Sequence, residues 1–283
     1  MEQTKASIVC GDGYPLAAEL FRPAAARGCV VIAPALGVPR RVYEAFARYL
    51  AGRGLAVLTF DYRGVGDSRQ GPVPAAQILM QHWGERDIEA VLGWAQRELK
   101  PKKLFLLGHS AGGQLPGLAP ASARLDGLVL VAASAPHASL YPFPAKLGLL
   151  LLWWLLIPAV AAGREYFPAR QMRLGSGDIA APIVRQWARW ARTPGYMFDP
   201  EHNMDTTRYA RLSLPLLSYC FLDDGYAPPA AVNALLQHYS AAQVEKREVP
   251  RPARGQIGHF GYFRERQRDT LWRDTTEWLM RLC

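Results

Sequence analysis

Cysteine is scarce in this chain. Cys10, Cys29, Cys220 and Cys283 are the four among 283 residues, and none sits in a CxxC or Cys/His ligand spacing. That excludes a disulfide framework and a cysteine-bound zinc, and it fits reduced thiols in a cytoplasmic protein. There is no basic leader followed by an apolar stretch in MEQTKASIVCGDGYPLAAELFRP, so no secretion signal is expected. Lys and Arg number 33 against 24 Asp and Glu, a net charge of +9, but the excess is scattered. No basic cluster interleaved with aromatics and no finger or helix-turn-helix accompanies it, so no nucleic-acid partner is indicated. Repeats and low-complexity tracts are also lacking. What remains is 50% hydrophobic, 20% charged and 11% aromatic, the composition of one large or two smaller globular domains.

Short apolar runs alternate with longer helical patterns. Val30-Val31-Ile32 and residues 55–60, 104–107, 128–131 and 216–221 are bounded by Gly, Pro or Asp and do not alternate with polar residues, as expected of strands buried on both faces. Residues 42–50, 88–99 and 230–239 read as the helices between and after them, and a last strand is expected over 244–249. The N-terminus reads as two strands around the turn Gly11-Asp12-Gly13. This is an α/β pattern with a mostly parallel sheet and helices on both faces.

Residues 134–211 break the rhythm, being rich in Trp, Pro and Leu, and are read as a helical cap inserted after the sixth strand. The core is then residues 1–133 and 212–283. The cap opens with LGLLLLWWLLIPAVAAG, 17 uncharged residues (147–163) between Lys146 and Arg164. At about 1.5 Å per residue this spans roughly 25 Å, short of a bilayer core of about 30 Å, and Pro158 interrupts it. A greasy cap helix is expected, with peripheral membrane contact through residues 147–163 as its rival.

The most informative stretch is Leu106-Leu107-Gly108-His109-Ser110-Ala111-Gly112-Gly113, an apolar strand running into Gly-x-Ser-x-Gly. A sharp strand-to-helix turn strains the serine backbone and crowds its neighbours, so Gly108 and Gly112 remove side chains that would clash. Ser110 is thereby presented at the C-terminal edge of the sheet.

With this motif, Asp61-Tyr62-Arg63-Gly64-Val65-Gly66-Asp67-Ser68 after the second core strand, Pro34-Ala35-Leu36-Gly37 after the first, and a late Asp and His, the chain resembles the α/β-hydrolase superfamily along nearly its whole length. Within it, the chain looks like bacterial hydrolases near the serine aminopeptidase and monoacylglycerol lipase branch. The resemblance implies a Ser, Asp, His order of catalytic groups. A serine hydroxyl needs a base to take its proton, and His259 in Gly258-His259-Phe260 stands where the family puts that base. His109 adjoins the nucleophile and is read as packing or lining, while His82, His137, His202 and His238 fall in helical or cap segments. For the acid that orients the base, Asp224 matches the family's Asp-x-x-x-Pro spacing before Pro228, and Asp223 is read as a turn residue using its carboxylate on local amides.

Two oxyanion donors are also implied. One is the Ala111 N–H; the other comes from Pro34-Ala35-Leu36-Gly37, where the family pattern places it at Leu36. Pro-Ala stands here where the family has His-Gly, so the donor is open between Leu36 and Ala35. Asp67 and Ser68 are expected to cap a following helix. Trp153, Trp154 and Trp187 are expected to line an apolar pocket with His109. The expected activity is cleavage of a small-molecule carboxylic ester with a hydrophobic acyl group, without metal or organic cofactor. The same residues would serve a thioesterase, a peptidase or amidase, or an acyltransferase. The alternative outside enzymes is a silent hydrophobic-ligand receptor on the same fold.

Overall fold

The computed structural model describes residues 1–69, 71, 73–172 and 177–283. The apolar runs become strands because both faces of the sheet are covered. In β3 (Gly28–Ala33), Cys29, Val31 and Ala33 enter one hydrophobic cluster while Val30 and Ile32 enter another on the opposite face. β4 (Leu55–Phe60) divides in the same way, Ala56, Leu58 and Phe60 against Leu55 and Val57, and so does β5 (Leu104–His109), Leu104 and Leu106 against Phe105 and Leu107. This partition is why the runs show no polar alternation.

The other strands of the eight-stranded sheet are β1 (Glu2–Val9), β2 (Pro15–Arg22), β6 (Gly127–Val131), β9 (Pro215–Phe221) and β10 (Gln243–Val249). Their order is β1-β2-β4-β3-β5-β6-β9-β10, with β2 antiparallel to β1 and β4 and the rest parallel. Val31 of β3 pairs with Leu58 on one side and Leu106 on the other. β4 is therefore laid down beside β3, and the chain then crosses back to put β5 on the far side. The loops leaving β3 and β5 diverge at that reversal, and a crevice opens at the carboxyl ends of the two strands.

One face carries α1 (Glu44–Ala51), which buries Phe46, Ala47 and Leu50, and α8 (Arg273–Arg281), which buries Trp278 and Leu279 in the same cluster. The other face carries a helical stretch over 83–99 centred on α2 (Glu89–Trp94), with Ile88, Val91, Leu92 and Ala95 turned to the core at helical spacing. α3 (Ala111–Gln114) follows β5 directly, and α7 (Pro229–Leu236) follows β9. The charged edge strand β10, with Glu245, Lys246, Arg247 and Glu248, discourages pairing with another sheet.

Between β6 and β9, which are sheet neighbours, the chain leaves the sheet. It forms α4 (Ala145–Leu151), continues through the helical turn Leu152–Leu156 into α5 (Ile157–Ala161), and so makes one rod over 145–161. The short pair β7 (Tyr166–Phe167) and β8 (Ile179–Ala180) and the helix α6 (Ala181–Arg192) follow. Trp153, Ile157, Ile183, Val184 and Trp190 join the same hydrophobic cluster as Val31, so the insertion packs onto the core. Among the described residues, no helix is long and apolar enough to cross a membrane.

The segment after β4 departs from expectation. Among the described residues, Asp67 and Ser68 cap no helix. The Ser68 hydroxyl accepts from Ala17 N–H and donates to the Asp61 carbonyl, tying the segment to β2, and Asp67 pairs with Arg40. Buried Asp61 accepts from the Arg40 and Asp67 amides, and fully buried Arg63 pairs with Asp87 at 2.6 Å. The charges of this segment hold the loops at the crevice in place.

Candidate active site

At the end of β5 the backbone turns so sharply that Ser110 takes φ 50° and ψ −116°, a conformation costly for a residue with a side chain. The packing that imposes it is visible at the two glycines. A methyl group on Gly108 would collide with the backbone of Gly112 and Gly113, and one on Gly112 would strike the backbone of Ala33 at the end of β3. The Ser110 N–H donates to the Val131 carbonyl at 2.9 Å, which fixes the turn to β6. The hydroxyl is left pointing into the crevice between β3 and β5.

His259 arrives on the loop after β10. Its Nε2 lies 2.8 Å from Ser110 Oγ and its Nδ1 2.7 Å from Asp224 Oδ2. Asp224 stands just beyond β9 with its carboxylate buried, and its other oxygen accepts the Tyr226 and Ala227 amides at 2.8 and 3.2 Å. An acceptor at Nδ1 places the imidazole proton there and leaves Nε2 free to accept the serine proton. The adjacent carboxylate acts at longer range than a local turn. Asp223 accepts the amides of Ile257 and Gly258, at 2.8 and 2.9 Å, and so anchors the histidine loop. One aspartate grips the ring and its neighbour grips the backbone that carries it.

His109 is not a lining residue. It is buried beneath Ser110, where its Nδ1 meets the Tyr43 hydroxyl at 2.9 Å and its Nε2 meets the His259 carbonyl at 2.9 Å. The Tyr43 oxygen already accepts the Ala35 N–H at 2.8 Å, so its own proton goes to His109 Nδ1. His109 then carries its proton on Nε2 and donates to His259. Burial, with the neighbouring His259 charge adding to it, pushes the His109 pKa down to about 3, which keeps the ring neutral. A continuous chain of hydrogen bonds therefore links the loop after β3 to the backbone of His259.

A narrow cavity of about 60 Å³ opens at Ser110. Ala35, Leu36, Ala111 and His259 form its base, while Leu149, Leu152, Trp153 and Trp187 come from the insertion. Trp154, expected beside Trp153, points the other way: it is 60% exposed, with the Arg192 guanidinium 4.9 Å over its ring. Successive residues of a helix face directions about 100° apart, so a Trp pair cannot share one wall. Sequence reasoning missed Tyr226 and Phe260, which flank His259 with ring centroids 5.2 and 5.0 Å away and help line the cavity. Their adjacency to Asp224 and His259 was the available signal. Tyr43, which meets His109, and Tyr141, which lines the cavity and donates to the Tyr226 carbonyl at 2.7 Å, carried none. Among the described residues, no group of three or more His, Cys, Asp or Glu side chains is placed to hold a metal ion.

Residues 24–166 match the serine aminopeptidase S33 family of hydrolases. The chain belongs to that family. Its fold recurs in solved α/β hydrolases of low sequence identity. A thermostable carboxyl esterase from Bacillus coagulans, in complex with glycerol, is 15% identical, with a TM-score of 0.68 over 100% of this chain and 99% of that one. A lipase in its open form is 17% identical, with a TM-score of 0.70 over 99% of each chain. Est1E from Butyrivibrio proteoclasticus, bound to ferulic acid, is 18% identical, with a TM-score of 0.63 over 98% of each. Within this S33 hydrolase, the turn at Ser110, the residues after β9 that carry Asp224 and the loop after β10 that carries His259 lie at the carboxyl edge of the sheet.

Proposed function

We propose that this S33-family hydrolase cleaves carboxylic esters bearing a hydrophobic acyl group, through an acyl-enzyme on Ser110. The observation that carries the reading is the run of contacts from Ser110 Oγ to His259 Nε2, 2.8 Å, and from His259 Nδ1 to Asp224, 2.7 Å, at the foot of an apolar cavity. Ser110 Oγ attacks the ester carbonyl as its proton passes to His259 Nε2, and Asp224 stabilises the imidazolium. The oxyanion is held by the Ala111 and Leu36 amides, each worth about 3 to 4 kcal/mol in the transition state. The Ala35 amide is engaged by Tyr43, which supports Leu36 as the second donor. His259 returns the proton to the departing alcohol; water then attacks the acyl-enzyme with His259 as base, releasing the acid and restoring Ser110.

In this reading residues 134–211 act as a cap over a core of 1–133 and 212–283, and the Leu and Trp wall accepts the acyl chain. Among the described residues, the cavity lining contains no carboxylate. A peptide with a free amino terminus would need one opposite its ammonium group, so the lining favours an ester over an aminopeptidase substrate. Four free cysteines, three of them buried, support a reducing, cytoplasmic setting. The test is hydrolysis of p-nitrophenyl esters from acetate to palmitate by the wild type and Ser110→Ala. A chain-length optimum that disappears in the variant is expected. Absence of ester turnover by the folded wild type would overturn the assignment and direct attention to thioesters and amides.

A further inference from the structure

The rod over 145–161 has apolar side chains on two faces, and the protein covers only one of them. Leu149, Leu152 and Trp153 line the cavity, and Ile157 and Ala161 are buried in the core. Leu147, Leu151, Trp154 and Leu155 face solvent, exposed by 54, 50, 60 and 56%. Phe143, just before the rod, is 74% exposed. Positions 147, 151 and 155 follow one another at i, i+4, and 154 lies two turns from 147, so the four form one stripe. A contiguous exposed apolar stripe of this kind marks a contact surface.

The charge around it is predominantly positive. Lys146 stands at the start of the rod and Arg164 just beyond its end, both exposed. Arg192 lies over Trp154, and exposed Arg189 sits one turn earlier on α6. From residue 127 to 177 the sequence contains one carboxylate, Glu165, against Lys146, Arg164, Arg170 and Arg173. A second copy of the chain would bring like charges face to face across this stripe. An anionic surface complements it.

We propose that this stripe docks the protein on an anionic phospholipid surface. The rod lies flat in the headgroup layer, with Leu147, Leu151, Trp154 and Leu155 inserted and the flanking cations on lipid phosphates. The rod is too short to span the bilayer, and its other face is committed to the protein, which leaves the interfacial orientation. The proposal concerns binding and goes beyond the hydrolytic reading; it is tested in the Ser110→Ala background, so lipid turnover plays no part.

The full chain carrying Ser110→Ala is sedimented with vesicles of phosphatidylcholine alone or mixed with phosphatidylglycerol, at low and high salt. Binding to the mixed vesicles is expected to be about tenfold or more tighter than to phosphatidylcholine, and to weaken as salt rises. Adding Leu147→Asn, Leu151→Asn and Leu155→Asn together should lower it by about tenfold or more with the thermal melting curve unchanged, because these three side chains touch neither cavity nor core. Lack of binding to mixed vesicles would overturn the proposal. So would equal binding to both vesicle types, or binding that survives the triple substitution. A concentration-dependent dimer that the triple substitution dissolves, without lipid binding, would assign the stripe to a second copy instead.

Discussion

At the ends of β3 and β5, polar atoms have specific partners and the backbone leaves no room for an added methyl group. Along the rod over 145–161, the same cavity is bounded by Leu and Trp side chains that make few directional contacts. Ser110, His259 and Asp224 are held by a strained turn, two carboxylates and a buried imidazole. Leu149, Leu152 and Trp153 are held by packing alone. Chemistry needs atoms fixed to within a fraction of an ångström, whereas accommodating an acyl chain needs only apolar surface of suitable size. Substitutions in the first region should therefore be sharp in effect and those in the second graded.

The largest contrast is expected at Asp224. Asp224→Asn removes the charge that fixes the His259 tautomer, and kcat/KM for a p-nitrophenyl ester should fall by about 10³- to 10⁴-fold. A comparable loss from Trp153→Ala would break the comparison. Next comes backbone crowding. Gly112→Ala drives a methyl group into Ala33 and should cost about 3 kcal/mol or more in denaturant unfolding, or prevent folding. Gly148→Ala on the rod meets nothing within 4 Å and should stabilise by about 0.5 to 1 kcal/mol.

His109 gives a pH test of the buried network. Its folded pKa of about 3 lies below the ordinary value of 6.5, so the folded state holds the ring neutral. The stability this contributes is complete above pH 6.5 and is lost as pH falls toward 3, at up to about 1.4 kcal/mol per pH unit. Between pH 6.5 and 4.5 the wild type should therefore lose about 2 to 3 kcal/mol more unfolding free energy than His109→Gln. Equal slopes would show that His109 is not buried neutral. Asp223→Asn should weaken the hold on the Ile257 and Gly258 amides and lower kcat/KM by about tenfold, the loss of roughly one charge-assisted hydrogen bond. The smallest contrast lies within the rod. Trp153→Ala should shift the preferred acyl length, while Trp154→Ala leaves the profile within about twofold, since only Trp153 faces the cavity.

The sequence was most readable where local backbone demands special residues. Gly108, Gly112 and the apolar strand before them state the elbow, because few other residues survive that turn. The strands were legible because burial on both faces removes polar alternation, and the structure extends them by only one or two residues at an end, as with β3 and β5. The role of His109 was half legible: its place before the serine turns it away from the crevice, but its contact with Tyr43 joins residues 66 positions apart and left no local pattern. Asp223 looks local in the sequence for the same reason, since its partners are amides 34 and 35 positions away. Trp153 and Trp154 looked equivalent in an all-apolar run, and only helix phase separates them. Between Leu36 and Ala35, the contact that favours Leu36 as the proposed donor is the Tyr43 hydroxyl on the Ala35 amide, a tertiary fact with no local pattern.

The central claim is that Ser110 is a nucleophile activated by His259 and Asp224. The most direct test is to treat the folded protein with a fluorophosphonate and map the adduct by peptide mass spectrometry. One adduct on Ser110 is expected, absent in Ser110→Ala and formed far more slowly in Asp224→Asn. A folded wild type that remains unlabelled, or is labelled at another residue, would contradict the account.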